Sequence, residues 1–376
     1  MVISNNYLSG EIPHFWNSIP DLYIVDMSNN SLSGTIPRSI DSLRALRYLI
    51  LSSNNLSGEL PSLRNCTNMK SLDLGENKFS GNIPAWIGEN MLSLLILRLS
   101  SNSFTASIPS QLCDLSNLHI LDLSHNNLAG HIPPCVGNLS GFKVSVISDK
   151  DTSYLYQGKL KAVTKGRVQD FGSTLYLVNS LDLSNNYLSG EIPMELTTLI
   201  NLWTLNLSMN HLTGIIPSRI GNMESIETLD LSINQLSGSI PQSMVSLTFL
   251  NHLNLSYNNL SGNVPTGNQF NSLVDPSVYE GNAALCGFPL PDCQDNGETP
   301  QVPSGGGKEF EWLGFVISAV IGFIVGFWGV CGSLVINKSW RQAYFHFIDR
   351  MKYALIDFVS AIGKHLQKIS KGTKES

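Results

Sequence analysis

Charge is scarce in this chain. Only 14% of its 376 residues are charged, against 42% hydrophobic, and 23 basic residues are outnumbered by 29 acidic ones. That balance denies the chain the basic footprint that nucleic-acid binding requires. Cysteine is also sparse, at six residues, too few for a small scaffold built on disulfides. The sequence contains no G-x-x-x-x-G-K-[ST] phosphate loop, no nucleophile elbow and no His/Cys cluster with metal-ligand spacing. Gly305 to Gly307 read as a flexible linker. No catalytic residue, metal or cofactor is therefore expected, and the chain reads as a non-enzyme.

What the sequence has in abundance is a beat. The phrase "LDLSNNYLSGEIP", Leu181 to Pro193, recurs along the chain with its inner asparagine at Asn6, Asn30, Asn54, Asn77, Asn102, Asn126, Asn186, Asn210, Asn234 and Asn258. The steps are 24, 24, 23, 25, 24, 60, 24, 24 and 24, and a proline follows every marker by seven residues. Glycine stands four after the marker in nine copies, with Ala106 in the tenth. Internal repeats of this length decide an architecture before any local reading does.

Within a unit such as "LWTLNLSMNHL", alternating leucines point one way from a short strand and the residues between them point the other. Successive strands then stack in parallel about 4.8 Å apart. The asparagine turns inward as the chain leaves the strand, where its amide satisfies backbone groups that the turn buries. The expected fold is an α/β-type solenoid, a leucine-rich-repeat superhelix. Its "G-x-I-P" element resembles the plant-specific class of that repeat. The concave face comprises Tyr23, Asp26, Arg47, Tyr48, Lys70, Asp73, Arg98, His119, Asp122, Trp203, Asn206, Glu227, Asp230, His252 and Asn254. Such faces are usually binding surfaces, and Trp203, Glu227, Asp230 and His252 are the ligand candidates taken from it. His119, His125 and His131 fall at variable positions of one unit and are expected to be solvated.

Charge is unevenly spread as well as scarce. Trp312 to Asn337 carries no charged residue and exceeds the ~20 apolar residues that cross a bilayer. Residues 337 to 376 hold eight Lys and Arg against three acids, whereas residues 1 to 311 hold 15 against 26. The positive-inside rule then puts the tail in the cytoplasm and the repeats outside. Within the span, Ser318, Gly322 and Gly326 recur every four residues, the small-residue stripe that lets a second membrane helix approach. In the tail, apolar residues from Tyr344 to Ile369 recur at helical spacing beside Lys352, Lys364, Lys368 and Lys371, the pattern of an amphipathic helix on the inner leaflet.

An external location implies glycans and oxidised thiols. N-x-S/T acceptors stand at Asn29, Asn55, Asn65, Asn138, Asn206, Asn254 and Asn259, and Asn337 should stay bare on this topology. Cys286 and Cys293 flank a short loop after the last repeat and are expected to close a cap over the open core. Cys113 and Cys135 lie in successive units at nearly one phase and can bridge neighbouring turns or remain thiols. Cys66 is expected to be a buried thiol.

The step of 60 is one repeat plus an insertion of 36 residues, placed at residues 141 to 176. Its Lys143, Lys150, Lys159, Lys161, Lys165 and Arg167 outnumber Asp149, Asp151 and Asp170, making a basic patch on an ectodomain with 15 − 26 = −11 formal charges. Lys159, Lys161, Lys165 and Arg167 are the residues that would steer an acidic ligand or a co-receptor. The resulting order is repeats over 1 to 140, an island over 141 to 176, and four repeats over 177 to 267. A cap and acidic linker follow over 268 to 311, then a membrane helix over 312 to 336 and a cytoplasmic tail over 337 to 376.

"VTKGRVQDFGSTLYLVNSLDLSNNYLSGEIP", "LCDLSNLHILDLSHNNLAGHIPPC" and "WRQAYFHFIDRMKY" together resemble the plant receptor-like proteins of the fungal-elicitor and disease-resistance type, which lack a kinase domain. The resemblance implies a single-pass protein of the plasma membrane that binds an extracellular elicitor or peptide. It implies pairing with an adaptor receptor-like kinase through Ser318, Gly322 and Gly326. It also implies recruitment of a co-receptor kinase by the island and final repeats. A developmental peptide co-receptor of the same architecture, or a membrane-tethered decoy similar to polygalacturonase-inhibiting proteins, are the alternatives. Met1 opens inside a repeat, with no signal peptide or N-terminal cap, so the expectation is an N-terminally truncated chain.

Overall fold

The computed structural model describes residues 1–143, 160–164, 167–171, 178–267, 270 and 273–293. The candidate membrane helix and tail lie outside the described residues, as do Lys159 and Lys165. Among the described residues no helix is long and apolar enough to cross a membrane.

One parallel sheet of nine strands organises the fold: Ile24–Asp26, Tyr48–Ile50, Ser71–Asp73, Ile96–Arg98, Ile120–Asp122, Ser180–Asp182, Thr204–Asn206, Thr228–Asp230 and His252–Asn254. The middle residue of every strand, from Val25 and Leu49 to Leu229 and Leu253, is buried in one continuous core. The strands stop after three residues because the next asparagine turns the chain.

The asparagine amide does what the sequence suggested. Asn210 donates from Nδ2 to the carbonyls of Leu207 (3.2 Å) and Ser208 (3.1 Å) in its own unit and of Leu183 (3.0 Å) in the one before. Its Oδ1 accepts from the backbone N–H of Leu188 at 3.0 Å. The pattern repeats from Asn30 to Asn258 and gives each turn the partners its buried backbone needs.

Beyond the asparagine the chain forms a second set of short parallel strands, such as Tyr187–Glu191 against His211–Thr213. The glycine four after the marker ends them in a left-handed conformation, φ +79° at Gly190, which glycine adopts without steric cost. Ala106 holds the same conformation, at φ +62°. The proline that follows then fixes an extended entry into a short 3-10 turn on the convex side, as Pro193 does before Met194–Thr198.

Two boundaries differ from the sequence reading. The island does not begin at Gly141: Phe142 is fully buried in the core, and a side chain on Gly141 would run into the Leu118 carbonyl. Residues 141–143 therefore belong to the sixth repeat. Within the island, Leu160–Thr164 and Arg167–Phe171 form an antiparallel hairpin, and the backbone of its first strand lies against Ser180–Asp182.

The cap does not begin as a separate fold at 268. Asn282, 24 residues after Asn258, is another rung: its Nδ2 donates to Leu255 and Tyr279 carbonyls and its Oδ1 accepts from Leu260. The strand Ala284–Cys286 then pairs with Asn259–Asn263. Cys286 is bridged to Cys293, and Cys113 to Cys135 across neighbouring turns of the convex side; Cys66 is a buried free thiol that burial pushes up to about 12.

Candidate functional site

The concave sheet presents three rows of side chains. The first precedes the strands and contains Tyr23, Arg47, Lys70, Leu95, His119, Asn179, Trp203, Glu227 and Asn251. Arg47 stands over the Tyr23 ring at 5.5 Å. His119 is half-buried rather than solvated, with Nδ1 2.7 Å from Asn179 Oδ1, and burial holds its pKa below the ordinary histidine value.

The second row is mostly closed to water. Its Ile24, Tyr48, Ile96 and Ile120 pack with Ile50 of the third row and with Val178 into a small apolar cluster separate from the main core. Ser71, Thr204 and Thr228 are buried beside it.

The third row is ionic. Arg98 sits among three carboxylates: Nη1 is 3.3 Å from Asp73, Nη2 2.8 Å from Glu76 and Nε 3.3 Å from Asp122. Burial alone would pull the guanidinium down, but Asp73, Asp122 and Glu76 outweigh it and hold Arg98 above its ordinary value. Asp73 is raised by its own complete burial, which the attraction of Arg98 and bonds from Gly75 and Ser52 only partly offset. Asp26, Asp73 and Arg98, expected as ordinary outward strand positions, are buried. Asp182, two residues into the strand after the island, belongs to the same row and was missed. Its signal was readable, because it stands four before its marker as Asp122 does.

Of the ligand candidates, Trp203, Glu227, Asp230 and His252 come together on three consecutive strands. Glu227 donates its backbone N–H to Trp203 (2.8 Å), and His252 donates to Glu227 (2.9 Å). All four side chains are half-buried. Of the four, His252 lines a cleft of about 380 Å³ between the last strand and the cap, together with Asn254, Leu273, Val274, Asp275 and Val278. Lys161 and Arg167 fall on the island hairpin. Ser318, Gly322 and Gly326 lie outside the described residues.

The glycan acceptors divide by setting. Asn29, Asn55, Asn65, Asn138 and Asn259 are exposed. Asn206 and Asn254 are half-buried in the third row, where each Oδ1 accepts from a serine two residues on, and Asn206 Nδ2 also donates to Asp182. Among the described residues no group of three His, Cys, Asp or Glu side chains is placed to hold a metal.

Family models described as leucine rich repeat match residues 1–56 and 200–260, 44–87, and 93–115, 117–139, 178–199 and 249–274. The chain is 56% identical to Receptor-like protein EIX2 of Solanum lycopersicum over 370 residues, covering 93% of this chain and 36% of that one. It spans about a third of the length of the curated relatives it matches. Among solved structures it is similar to the ectodomain of the Arabidopsis thaliana membrane receptor kinase GASSHO1/SCHENGEN3 in complex with CASPARIAN STRIP INTEGRITY FACTOR 2. The TM-score is 0.66 at 34% identity, over 78% of this chain and 31% of that one. It is similar also to the Arabidopsis receptor kinase HAESA in complex with the peptide hormone IDA and the co-receptor SERK1. There the TM-score is 0.62 at 33% identity, over 79% of this chain and 42% of that one.

Proposed function

Because this chain belongs to the plant leucine-rich-repeat receptor-like proteins, we propose that it is a cell-surface receptor component that takes a peptide or protein ligand on its concave face. The observation that carries this reading is the cluster of half-buried Trp203, Glu227, Asp230 and His252 on neighbouring strands, with His252 also lining the cleft beside the cap. A half-buried indole beside acidic and imidazole groups supplies apolar area and oriented polar contacts together, the combination found at binding hot spots. Peptide complexes among similar ectodomains favour the same use of the fold.

In this reading the protein is anchored by residues 312–336, carries glycans outside and acts in defence without chemistry of its own. An adaptor kinase pairs with Ser318, Gly322 and Gly326, and a co-receptor kinase engages the final repeats. Binding of candidate elicitor peptides to the immobilised chain tests it. Trp203→Ala combined with Glu227→Lys should weaken binding at least tenfold, roughly the loss of one hot-spot residue. Arg219→Glu, on the exposed convex side, should leave it unchanged. Equal loss from both variants would reject the concave face. Gly322→Leu should abolish kinase association and leave ligand binding intact.

A further inference from the structure

From strand to strand the third row reads Asp26, Ile50, Asp73, Arg98, Asp122, Asp182, Asn206, Asp230, Asn254, each residue in register with the next. Carboxylates alternate with a neutral or cationic residue at every step but one. Neighbouring strands hold such partners about 4.8 Å apart, where like charges repel. The exception, Asp122 against Asp182, falls at the step that the island interrupts.

Both carboxylates are withdrawn from water: Asp182 is 2% exposed and the Asp122 side chain 14%. Each Oδ1 accepts from the serine two residues on, Ser124 Oγ or Ser184 Oγ, at 2.6 Å. Their other oxygens differ. Asp122 Oδ2 has Arg98, whereas among the described side chains Asp182 Oδ2 has the neutral Asn206 amide, at 3.2 Å. The charge of Arg98 is already divided among Asp73, Glu76 and Asp122.

Charged and titratable groups lie on the elements packed around Asp182. The strand on one side contributes Asp122, preceded in the chain by His119; the strand on the other contributes Asn206, with Asp230 one strand beyond. The hairpin strand whose backbone lies against it carries Lys161, and the second hairpin strand carries Arg167 and Asp170.

We propose that the seam between Ile120–Asp122 and Ser180–Asp182 is a pH-sensitive joint. Protonation of Asp182 locks the two strands and the hairpin beside them, and ionisation loosens them. Burial first, and the Asp122 carboxylate second, push Asp182 up to about 7. The folded joint thus keeps a proton that the unfolded chain releases above its ordinary value of 3.8. Its stabilisation is full below that value and is lost as pH rises through about 7. His119 has the opposite sign: its pKa is lowered by burial, so its contribution is lost as pH falls. The joint operates whether or not the concave face binds a ligand.

Hydrogen exchange of the full chain at pH 6 and pH 8, corrected for intrinsic rates, tests the joint. Protection of residues 120–124 and 180–184 should fall about tenfold between these values, since pH 8 lies one unit above the midpoint. Asp182→Asn should keep the serine bonds, because Asn206 and Asn254 already make them in this row. Its protection should no longer fall between pH 6 and pH 8 and should be higher than the natural protein's at pH 8. Asp122→Asn, which removes the like charge, should move the fall to lower pH. A flat profile in the natural protein, an unaltered fall in Asp182→Asn, or an unmoved midpoint in Asp122→Asn would each overturn the proposal.

Discussion

Asn186 donates its side-chain amide to the Leu123 carbonyl at 3.0 Å, across 63 residues of sequence. The same side chain accepts from Leu128 N–H at 3.0 Å. These are the bonds that the other rungs from Asn30 to Asn282 make across an ordinary repeat. The island therefore leaves the ladder unbroken.

Replacing Asn186 with alanine leaves the Leu128 N–H and the Leu123, Leu183 and Ser184 carbonyls without the bonds that Asn186 supplies. The expected loss is about 2 to 3 kcal/mol, the cost of stranding buried backbone groups. Asn6→Ala, at the exposed end, removes bonds to Ile3 and Ser4 only and should cost less than about 1 kcal/mol. Denaturant unfolding of the two variants gives the comparison.

Ile233 occupies a left-handed conformation, φ +53°, and the residue is 44% exposed. Asn5, Asn29 and Asn185 hold the equivalent positions at φ 58°, 52° and 51°. A β-branched residue is strained there, whereas asparagine tolerates it. Ile233→Asn should raise stability by about 1 kcal/mol, read as an upward shift in Tm.

Arg98→Met removes the charge that compensates Asp73, whose side chain is 1% exposed. Breaking a buried pair from one side costs about 3 to 5 kcal/mol. The sign of its pH dependence follows from burial, which raises Asp73 and is then unopposed by the guanidinium. The deficit should be larger at pH 8 than at pH 5, because at low pH the folded carboxyl can stay protonated. Unfolding at both pH values measures it.

Mass spectrometry of the chain expressed in a secretory host should find glycans at exposed acceptors such as Asn55, Asn65 and Asn259. Asn206 and Asn254 should be bare, because their carboxamides lie half-buried in the third row and hold Ser208 and Ser256. Glycan occupancy at Asn206 would contradict the close packing of Asn206 against Asp182.

The repeat register was legible because each marker asparagine, its glycine and its proline answer local backbone needs at fixed offsets. Asn282 escaped because Cys286 stands where the other units have glycine or alanine, although Pro289 keeps the offset of seven. Phe142 escaped because nothing local distinguishes an aromatic that fills the core from one that begins a loop; its burial depends on turns distant in sequence. Trp203, Glu227 and His252 were legible as outward positions from strand alternation alone. The burial of Asp73 and Arg98 was not, since alternation gives the direction of a side chain but not what its neighbours cover. The opposition of Asp122 to Asp182 appears only when strands 60 residues apart are placed side by side.

The continuous ladder has a mechanical consequence. Tension applied along the solenoid axis passes from Leu123 to Asn186 through the same bonds that carry it at every other turn. The island is thus wired in parallel with the load path, outside the series of springs that bears it. An insertion of 36 residues sits in the sequence without removing a rung from the ladder.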